Sequence, residues 1–472
     1  MELGPQPESV VEPPEPPASR FAAMFKLSAV ALPRLPLPPP SPSTSSSSGS
    51  DSSSSSGQDI ASPPVAPAAA SDDFYTHCQW TFDGSTVIAT SAERGVDFFV
   101  ISNDRPETPD GARELIPDAS LHLSEPTREV APAPNFSIAY PETNCLLVGC
   151  KDLPIQLYHT PWHNAPPRVV CSYKLIKKET EAYITPASML WLASGTHFVV
   201  GSTRRLDYFD VQQSMHKGPV LTCPTVASGR RAAGPMSMKG IIASLSAPPP
   251  WSPGARWIAA GTWTRWVGLY DMERERQAVA TWSVADAAAT EWGVDVGGRG
   301  VSQTIWSPCG RYLVINERAS TGLLVYDVRV TKRPVAVLLG RASSTPQRLS
   351  CDVVSMNQDG SVFEIWAGTQ NGEVLRWDDV GRKGTTQEPS GRLAVGGSAP
   401  VGAVAVNQAG WRTATCSGGW AQSSDAQLDA AQHFDLSRER IPGRPRSAAE
   451  RSLRIWDLHP ETGSTNDAME SD

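Results

Sequence analysis

Cysteine is sparse in this chain and never arranged as a site. The eight cysteines stand at 78, 145, 150, 171, 223, 309, 351 and 416 with no CxxC among them, so neither a zinc site nor a disulfide framework is predicted. They read as reduced intracellular thiols. Cys145 and Cys150, the closest pair, are expected to flank one strand. Long apolar runs are also missing: none approaches the roughly 18–20 residues of a membrane helix. Residues 1–20 are acidic and Pro-rich, unlike a secretory signal. Enzyme signatures are absent too, with no GxxxxGKS/T, GxSxG, HExxH or strand-linked GxGxxG. The eight histidines are scattered, and none sits at ligand spacing from another. No catalytic residue, metal site, cofactor or small-molecule substrate is predicted.

Charge of one sign is scarce only in part of the chain. The formal charge of −8 is carried by the ends: residues 1–73 hold eight acidic and three basic side chains, and 458–472 hold four acidic and none basic. That leaves 38 basic against 37 acidic residues in 74–457, a balance of +1 that does not exclude a nucleic-acid partner. The stretch 1–73 is Pro-rich, then Ser-rich from Ser41 to Ser56. It lacks the apolar surface to offset chain entropy, so it is expected to be disordered, as is an acidic tail at 459–472. One island differs: Phe21–Leu32 (FAAMFKLSAVAL) is apolar enough to pack. Its readings are an outer strand closing a ring, a short helix, or a linear docking motif.

What is present is a repeated three-strand plan. In Val301–Arg329, Ser302–Trp306, Tyr312–Asn316 and Gly322–Asp327 read as strands rich in Val, Ile, Leu and Tyr, separated by Ser307–Gly310 and Glu317–Thr321. Cys351–Asp378 repeats the plan and ends in Trp377-Asp378. Further units are read at Phe74–Val100, Asn135–Tyr158 (with a turn at Pro141–Asn144), Ser188–Phe209, Gly240–Asp271 and Val401–Asp457. The last is interrupted by a polar, arginine-bearing insertion, Gly418–Ser452. Third strands end about 50–80 residues apart, beyond the roughly 40–45 of a compact WD repeat, so long outer connections are expected.

Adjacent units with a Trp-Asp ending resemble WD repeats, which implies an all-β fold: a seven-bladed WD-repeat β-propeller over 74–458. Six blades and a stray hairpin is the competing count, because the second and third units are weakest in pattern. The resemblance also implies that second-to-third-strand turns and the connections entering first strands open on one face. Those turns carry Arg94, Lys151, Arg204, Arg205, Arg265 and Arg318, and the insertion carries Arg438, Arg440, Arg444, Arg446 and Arg451. The entering connections add Lys177, Lys178, Lys239, Arg299, Arg341 and Arg348. Arginines beside Trp263 and Trp266 suit phosphate contacts with unpaired bases, the usual reading of single-stranded RNA. Basic residues in exposed turns are commonplace, and pairing with Glu93, Asp152 or Glu317 is the competing role. The candidate RNA-binding residues are Arg318, Arg348 and Arg299, then Arg265, Arg204 and Arg341.

The chain further resembles the telomerase Cajal body protein family, WD-repeat proteins that bind small Cajal body RNAs, as a divergent and fungal-type member. The likeness covers 74–457. It lies in His77-Cys78-Gln79-Trp80 through Phe82-Asp83-Gly84, in Pro154-Ile155-Gln156-Leu157-Tyr158, and in Gly240-Ile241-Ile242 to Gly261 with Val267-Gly268-Leu269-Tyr270. It continues in Gly300-Val301 to Arg318 and Asp327-Val328-Arg329, in Gln347-Arg348 with Gly368 to Trp377-Asp378, and in the interrupted last blade. A Gly-His before the first strand is missing around Gly297–Gly300. The resemblance implies a nuclear protein, in Cajal bodies, that localises or assembles small Cajal body or telomerase RNPs together with their RNP proteins and other subunits, away from membranes. A protein-only scaffold and an accessory factor of pre-mRNA splicing are the alternatives.

Overall fold

The computed structural model describes residues 24–33, 73–102, 112–160, 166–213, 218–226, 237–252, 254–271, 278–382, 384–395, 397–419 and 450–458. The low-complexity stretch 34–72, the tail 459–472 and most of the insertion, 420–449, lie outside the described residues.

Among the described residues seven sheets form seven blades, antiparallel apart from a short parallel outer strand on two of them, and the protein is an all-β propeller. Each blade starts with three consecutive antiparallel strands, joined in most blades by tight turns and in blade 7 interrupted by the insertion between its second and third strands. In blade 1 these are Tyr75–Trp80, Thr86–Ser91 and Gly95–Val100. Blade 3 has Ser188–Trp191, His197–Ser202 and Arg205–Asp210; blade 4 has Ile242–Ser246, Trp257–Thr262 and Trp266–Asp271. Blade 5 has Val301–Trp306, Tyr312–Glu317 and Leu323–Asp327; blade 6 has Cys351–Ser355, Phe363–Gly368 and Glu373–Trp377. Blade 7 has Val401–Val406, Arg412–Ser417 and Leu453–Leu458.

Blade 2 departs from the sequence reading. Its first strand is Thr127–Pro132, ahead of Cys145–Cys150 and Ile155–His159. The segment from Asn135, expected to be that strand, is instead a connection ending in a 3-10 turn at Pro141–Thr143. The prolines at 126, 132 and 134 disguise the strand as a loop. An innermost strand has a hydrogen-bonded neighbour on one side only, so a proline at its end is tolerated.

The core is distributed between blades. Seven apolar clusters each join two neighbours: Phe98 and Phe136 between blades 1 and 2, Tyr173 and Phe198 between 2 and 3, Trp282 and Tyr326 between 4 and 5, and Trp366 and Trp456 between 6 and 7 are examples. Glycine ends the second strand where the next blade comes closest. A Cβ on Gly261 would stand 2.3 Å from Val301 Cγ1, and one on Gly368 would stand 2.2 Å from the Val401 carbonyl oxygen. Any side chain there would push the blades apart.

Blades 1 to 6 take their fourth strands from the following chain, but blade 7 takes its own from the other end of the protein. Strand β1, Phe25–Ala31, lies antiparallel to Leu453–Leu458. A register shift between Leu27 and Ala29 turns the strand over partway. Phe25 and Leu27 therefore pack into the blade 6–7 core, with Phe25 edge-on to Trp366 at 5.3 Å. Ala29 and Ala31 enter the blade 7–1 core. A two-residue strand from blade 1, Arg113–Glu114, then pairs parallel on the outside of β1.

Ala29→Asp is expected to destabilise the protein by roughly 3 kcal/mol or more, since it buries an unpaired carboxylate at the seam. Lys26→Ala, on the exposed side of the same strand, should change stability by no more than about 0.5 kcal/mol. Chemical denaturation of both variants checks this contrast.

Candidate nucleic-acid interface

In an antiparallel blade the second-to-third turn and the entry to the first strand fall at the same end. The seven blades therefore gather these segments around one mouth of the central channel. It is a cavity of about 740 Å³ lined by parts of blades 1 to 6. Among the described residues five cations line it, Arg128, Lys151, Lys177, Arg318 and Arg348, against two carboxylates, Glu129 and Asp152. Hydroxyls of Thr76, Thr127, Thr185, Ser302 and Thr345 alternate with the apolar groups Ile184, Pro186, Ile241 and Trp263.

Arg318 sits in the blade 5 turn, where its N–H bonds to the Gly300 carbonyl. Its Nη1 donates to the Pro346 carbonyl at 3.1 Å, and its guanidinium lies over the Trp263 ring at 5.6 Å. Its buried Nε–H has no acceptor among the described residues. Burial, and then the charge of Arg348, lower its pKa to about 10, which leaves it charged at neutral pH. Arg348, in the connection entering blade 6, donates from Nη1 to Glu129 Oε2 at 3.2 Å. Its buried Nε–H likewise has no acceptor among the described residues. That bond crosses the mouth, because Glu129 belongs to blade 2. Burial raises the Glu129 pKa and Arg348 opposes the rise. His77, also in the mouth, is held neutral: burial first, then Arg348, push it down to about 3.

The other candidate residues divide. Arg299 and Arg204 are exposed, and the Arg299 N–H bonds to the Arg318 carbonyl. Arg204 takes a left-handed conformation, φ 59°, which turns the chain between two strands. Arg265 is committed to its own ring: Nε and Nη2 grip Glu317 at 2.8 and 3.1 Å, and Nη2 also donates to the Gly297 carbonyl. Its neighbour Trp266 packs between blades 3 and 4, away from the mouth.

Arg341 requires a correction. It is 1% exposed and lies beneath the rim. Nε donates to the Gly368 carbonyl at 2.9 Å, Nη1 to Asn316 Oδ1 at 2.6 Å, and Nη2 to the Leu349 carbonyl at 2.9 Å. The reason is tertiary: the connection into blade 6 passes under itself, and Arg341 fastens its far end next to Arg348. It is a structural residue that shapes the mouth. Of the insertion arginines, Arg438, Arg440, Arg444 and Arg446 lie outside the described residues.

Three mouth residues escaped the sequence reading. Arg128 and Glu129 were hidden by the misplaced first strand of blade 2, although alternation in Thr127–Pro132 carried the signal. His77 stood in a correctly placed strand but looked like one scattered histidine among others.

The opposite mouth differs in chemistry. A cavity of about 360 Å³ is lined by Trp80, Phe82, Pro134, Val406 and Asp352 among others, and Phe82 is 59% exposed. Asp352 accepts the Val406 N–H at 2.7 Å and the Val353 N–H at 2.8 Å, tying blade 6 to blade 7.

The fold defines a class, the seven-bladed WD-type propellers. Comparison with known proteins refines it. The chain is 25% identical over 329 residues to guanine nucleotide-binding protein negative regulator 1 of Schizosaccharomyces pombe, covering 67% of this chain and 73% of that protein. It is 24% identical over 303 residues to protein SWT21 of Zygosaccharomyces rouxii, covering 63% and 64%. Against telomerase Cajal body protein 1 of Mesocricetus auratus it is 23% identical over 328 residues, covering 68% of this chain and 53% of that one. No protein-family model matches. The chain is a divergent WD-repeat relative of these proteins.

Two outcomes follow from these positions. Arg341→Ala, which removes three buried hydrogen bonds and leaves Asn316 Oδ1 without its guanidinium donor, should lower stability by about 3 kcal/mol or more, while Arg299→Ala should stay within about 0.5 kcal/mol. Both are read by denaturant unfolding. Burial raises Asp352 from 3.8 to about 6, so the folded state favours its proton, and its contribution to stability is present at low pH and lost as pH rises from about 4 to 6. Against Asp352→Asn, the wild type should therefore lose up to about 3 kcal/mol across that window. Melting curves that stay parallel across it would refute the assignment.

Proposed function

We propose that this chain is a non-enzymatic propeller scaffold that binds a small nuclear RNA or its RNP at the cationic mouth, and so helps to localise or assemble that particle in the nucleus. The observation that carries this reading is the pairing of Arg318 and Arg348. Two guanidinium groups with incomplete hydrogen bonding face a mouth in which, among the described residues, cations outnumber carboxylates five to two. A guanidinium offers five N–H donors in a fixed fork suited to phosphate. The name of the telomerase Cajal body relative supports an RNA of the small Cajal body or telomerase type, and with it a Cajal-body location.

A protein-partner role has its own support. The opposite mouth exposes Phe82 beside Trp80 and Pro134, and the Schizosaccharomyces pombe relative is named for regulation of a guanine nucleotide-binding protein. In a protein-only scaffold, loss of the mouth cations would be tolerated and apolar rim residues would be required.

Crosslinking and immunoprecipitation of the tagged protein, followed by sequencing of bound RNA, separates these readings. Enrichment of box H/ACA-type small nuclear RNA or telomerase RNA is expected. Spliceosomal small nuclear RNA would redirect the role to splicing, and background levels of RNA would favour the protein scaffold. In vitro, contact with about four to six phosphates gives a log affinity against log salt slope of roughly −3 to −4 for a single strand. Replacing Arg318 and Arg348 by Gln together should weaken RNA binding and preserve the thermal transition. Loss of that transition would assign the pair to structure.

A further inference from the structure

The mouth carries an ion pair that does not read as a device for stability. Glu129 belongs to blade 2 and Arg348 to the entrance of blade 6, and they meet across the channel at 3.2 Å, 219 residues apart in sequence. Both side chains keep some exposure, 16% for Glu129 and 33% for Arg348. One carboxylate contact reaches Arg348 only, while Arg318 beside it donates to a backbone carbonyl. Two guanidinium groups thus sit beside a single carboxylate, and the buried Nε–H of each has no acceptor among the described residues. Such a grouping has too few anionic acceptors, and a further anion completes it.

We propose that Glu129 is a placeholder for a ligand phosphate: a phosphodiester of an unpaired RNA strand takes over Arg348, with Arg318 as second donor, and displaces the Glu129 carboxylate. This rests on the RNA reading above and says which strand chemistry enters the mouth and what must leave. The lining favours a nucleotide over a phosphate group alone. Trp263, Ile184, Pro186 and Ile241 provide apolar surface for a base, and hydroxyl side chains of the lining such as Thr127 and Thr203 provide partners for its edges and sugar. The volume of about 740 Å³ lies within the usual range for a site that encloses a small ligand. Unpaired bases can be splayed into such a site, whereas paired ones cannot.

Displacement has a protonic consequence. Once Arg348 turns to phosphate, Glu129 stays in a partly buried position without its partner, and burial already favours its protonated form. The other charged groups of the mouth are Arg318, Arg128, Lys151, Lys177 and Asp152, with His77 titrating far below neutrality. A phosphodiester does not titrate near neutral pH. Binding is therefore accompanied by proton uptake at Glu129, and affinity rises as pH falls.

The test uses the full chain and a fluorescently labelled oligouridylate as probe, with affinity measured by anisotropy from pH 6 to 8. The wild type should bind more tightly at the acid end. Glu129→Gln should bind roughly tenfold more tightly at pH 8 and lose the pH dependence, because the competing carboxylate is gone. Arg348→Gln should weaken binding by about tenfold or more. Wild-type affinity that is flat with pH, or a folded Glu129→Gln variant that binds no more tightly than wild type, overturns the placeholder role. If the wild type binds RNA and the arginine variants bind it equally, the phosphate subsite fails while the RNA reading survives. If the oligouridylate does not bind but a phosphoserine peptide does, with the same response to Glu129→Gln, the RNA reading fails and the proposal falls with it.

Discussion

One pairing governs the rest of this structure: a seven-residue strand near the start of the chain completes a sheet built by its end. Ser28 donates to the Ile455 carbonyl across 427 residues of sequence. Five of the interblade cores join segments that follow one another along the chain, and the core between blades 6 and 7 also takes Phe25 and Leu27 from β1. The seventh, between blades 7 and 1, must be assembled from the two ends. Without β1, the edge of Leu453–Leu458 would present a row of unpaired backbone groups. The register shift at Ser28 lets a single strand supply apolar groups to the cores on both sides of blade 7. Trp80 adds a tie from the inner side by donating Nε1–H to the Ala405 carbonyl at 3.0 Å. The cationic mouth depends on this closure, because its lining is drawn from blades 1 to 6, whose two ends blade 7 joins.

Among Arg205, Arg265, Arg318, Arg341 and Arg348, hydrogen-bond completeness separates two groups better than exposure does. Arg341 spends its donors on two carbonyls and Asn316, and Arg205 meets Asp207 through both Nε and Nη2. Arg265 holds Glu317 in the same forked way. These guanidiniums are clamps, and removing one leaves buried acceptors without donors. Arg318 and Arg348 have fewer partners than their geometry permits. A charged donor that is partly desolvated and incompletely bonded is costly to fold. Its retention in a concave mouth therefore points to a ligand more than to stability.

The architecture was legible where local chemistry and the demands of the ring coincide. Inner strands such as Tyr312–Glu317 and Phe363–Gly368 are buried on both faces, so they read as β-branched and aromatic runs between Gly-containing turns. Seven blades and the all-β class follow from that repetition. Fourth strands were not legible: Ala336–Leu338 and Gly391–Ala394 are short and come after variable connections. Blade 2 was misread because prolines bracket Thr127–Pro132, and an edge position relaxes the usual exclusion. Arg341 shows a different limit. Its position between Gly340 and Ala342 reads as an exposed loop, and only the path of the chain beneath the rim reveals that it is buried.

The separation of chemistry between the two mouths follows from antiparallel topology. Entering connections and second-to-third turns share one end of every blade, while first-to-second turns share the other. Cations placed in two kinds of loop converge on one opening, whatever lies between them in sequence; hence Lys151, Lys177, Arg318 and Arg348 meet although they come from four loops. Phe82 and Gln408, in first-to-second turns, line the opposite opening with Trp80 and Asp352. A closed ring thus sorts its loop residues by which turn they occupy. The electrostatic asymmetry comes mainly from loops, with Arg128 and Glu129 of the blade 2 first strand added, and needs no change to the interblade cores. A cross-channel pair such as Glu129–Arg348 is then under no obligation to hold blades together, since the cores already do so. That freedom is what allows it to exchange partners.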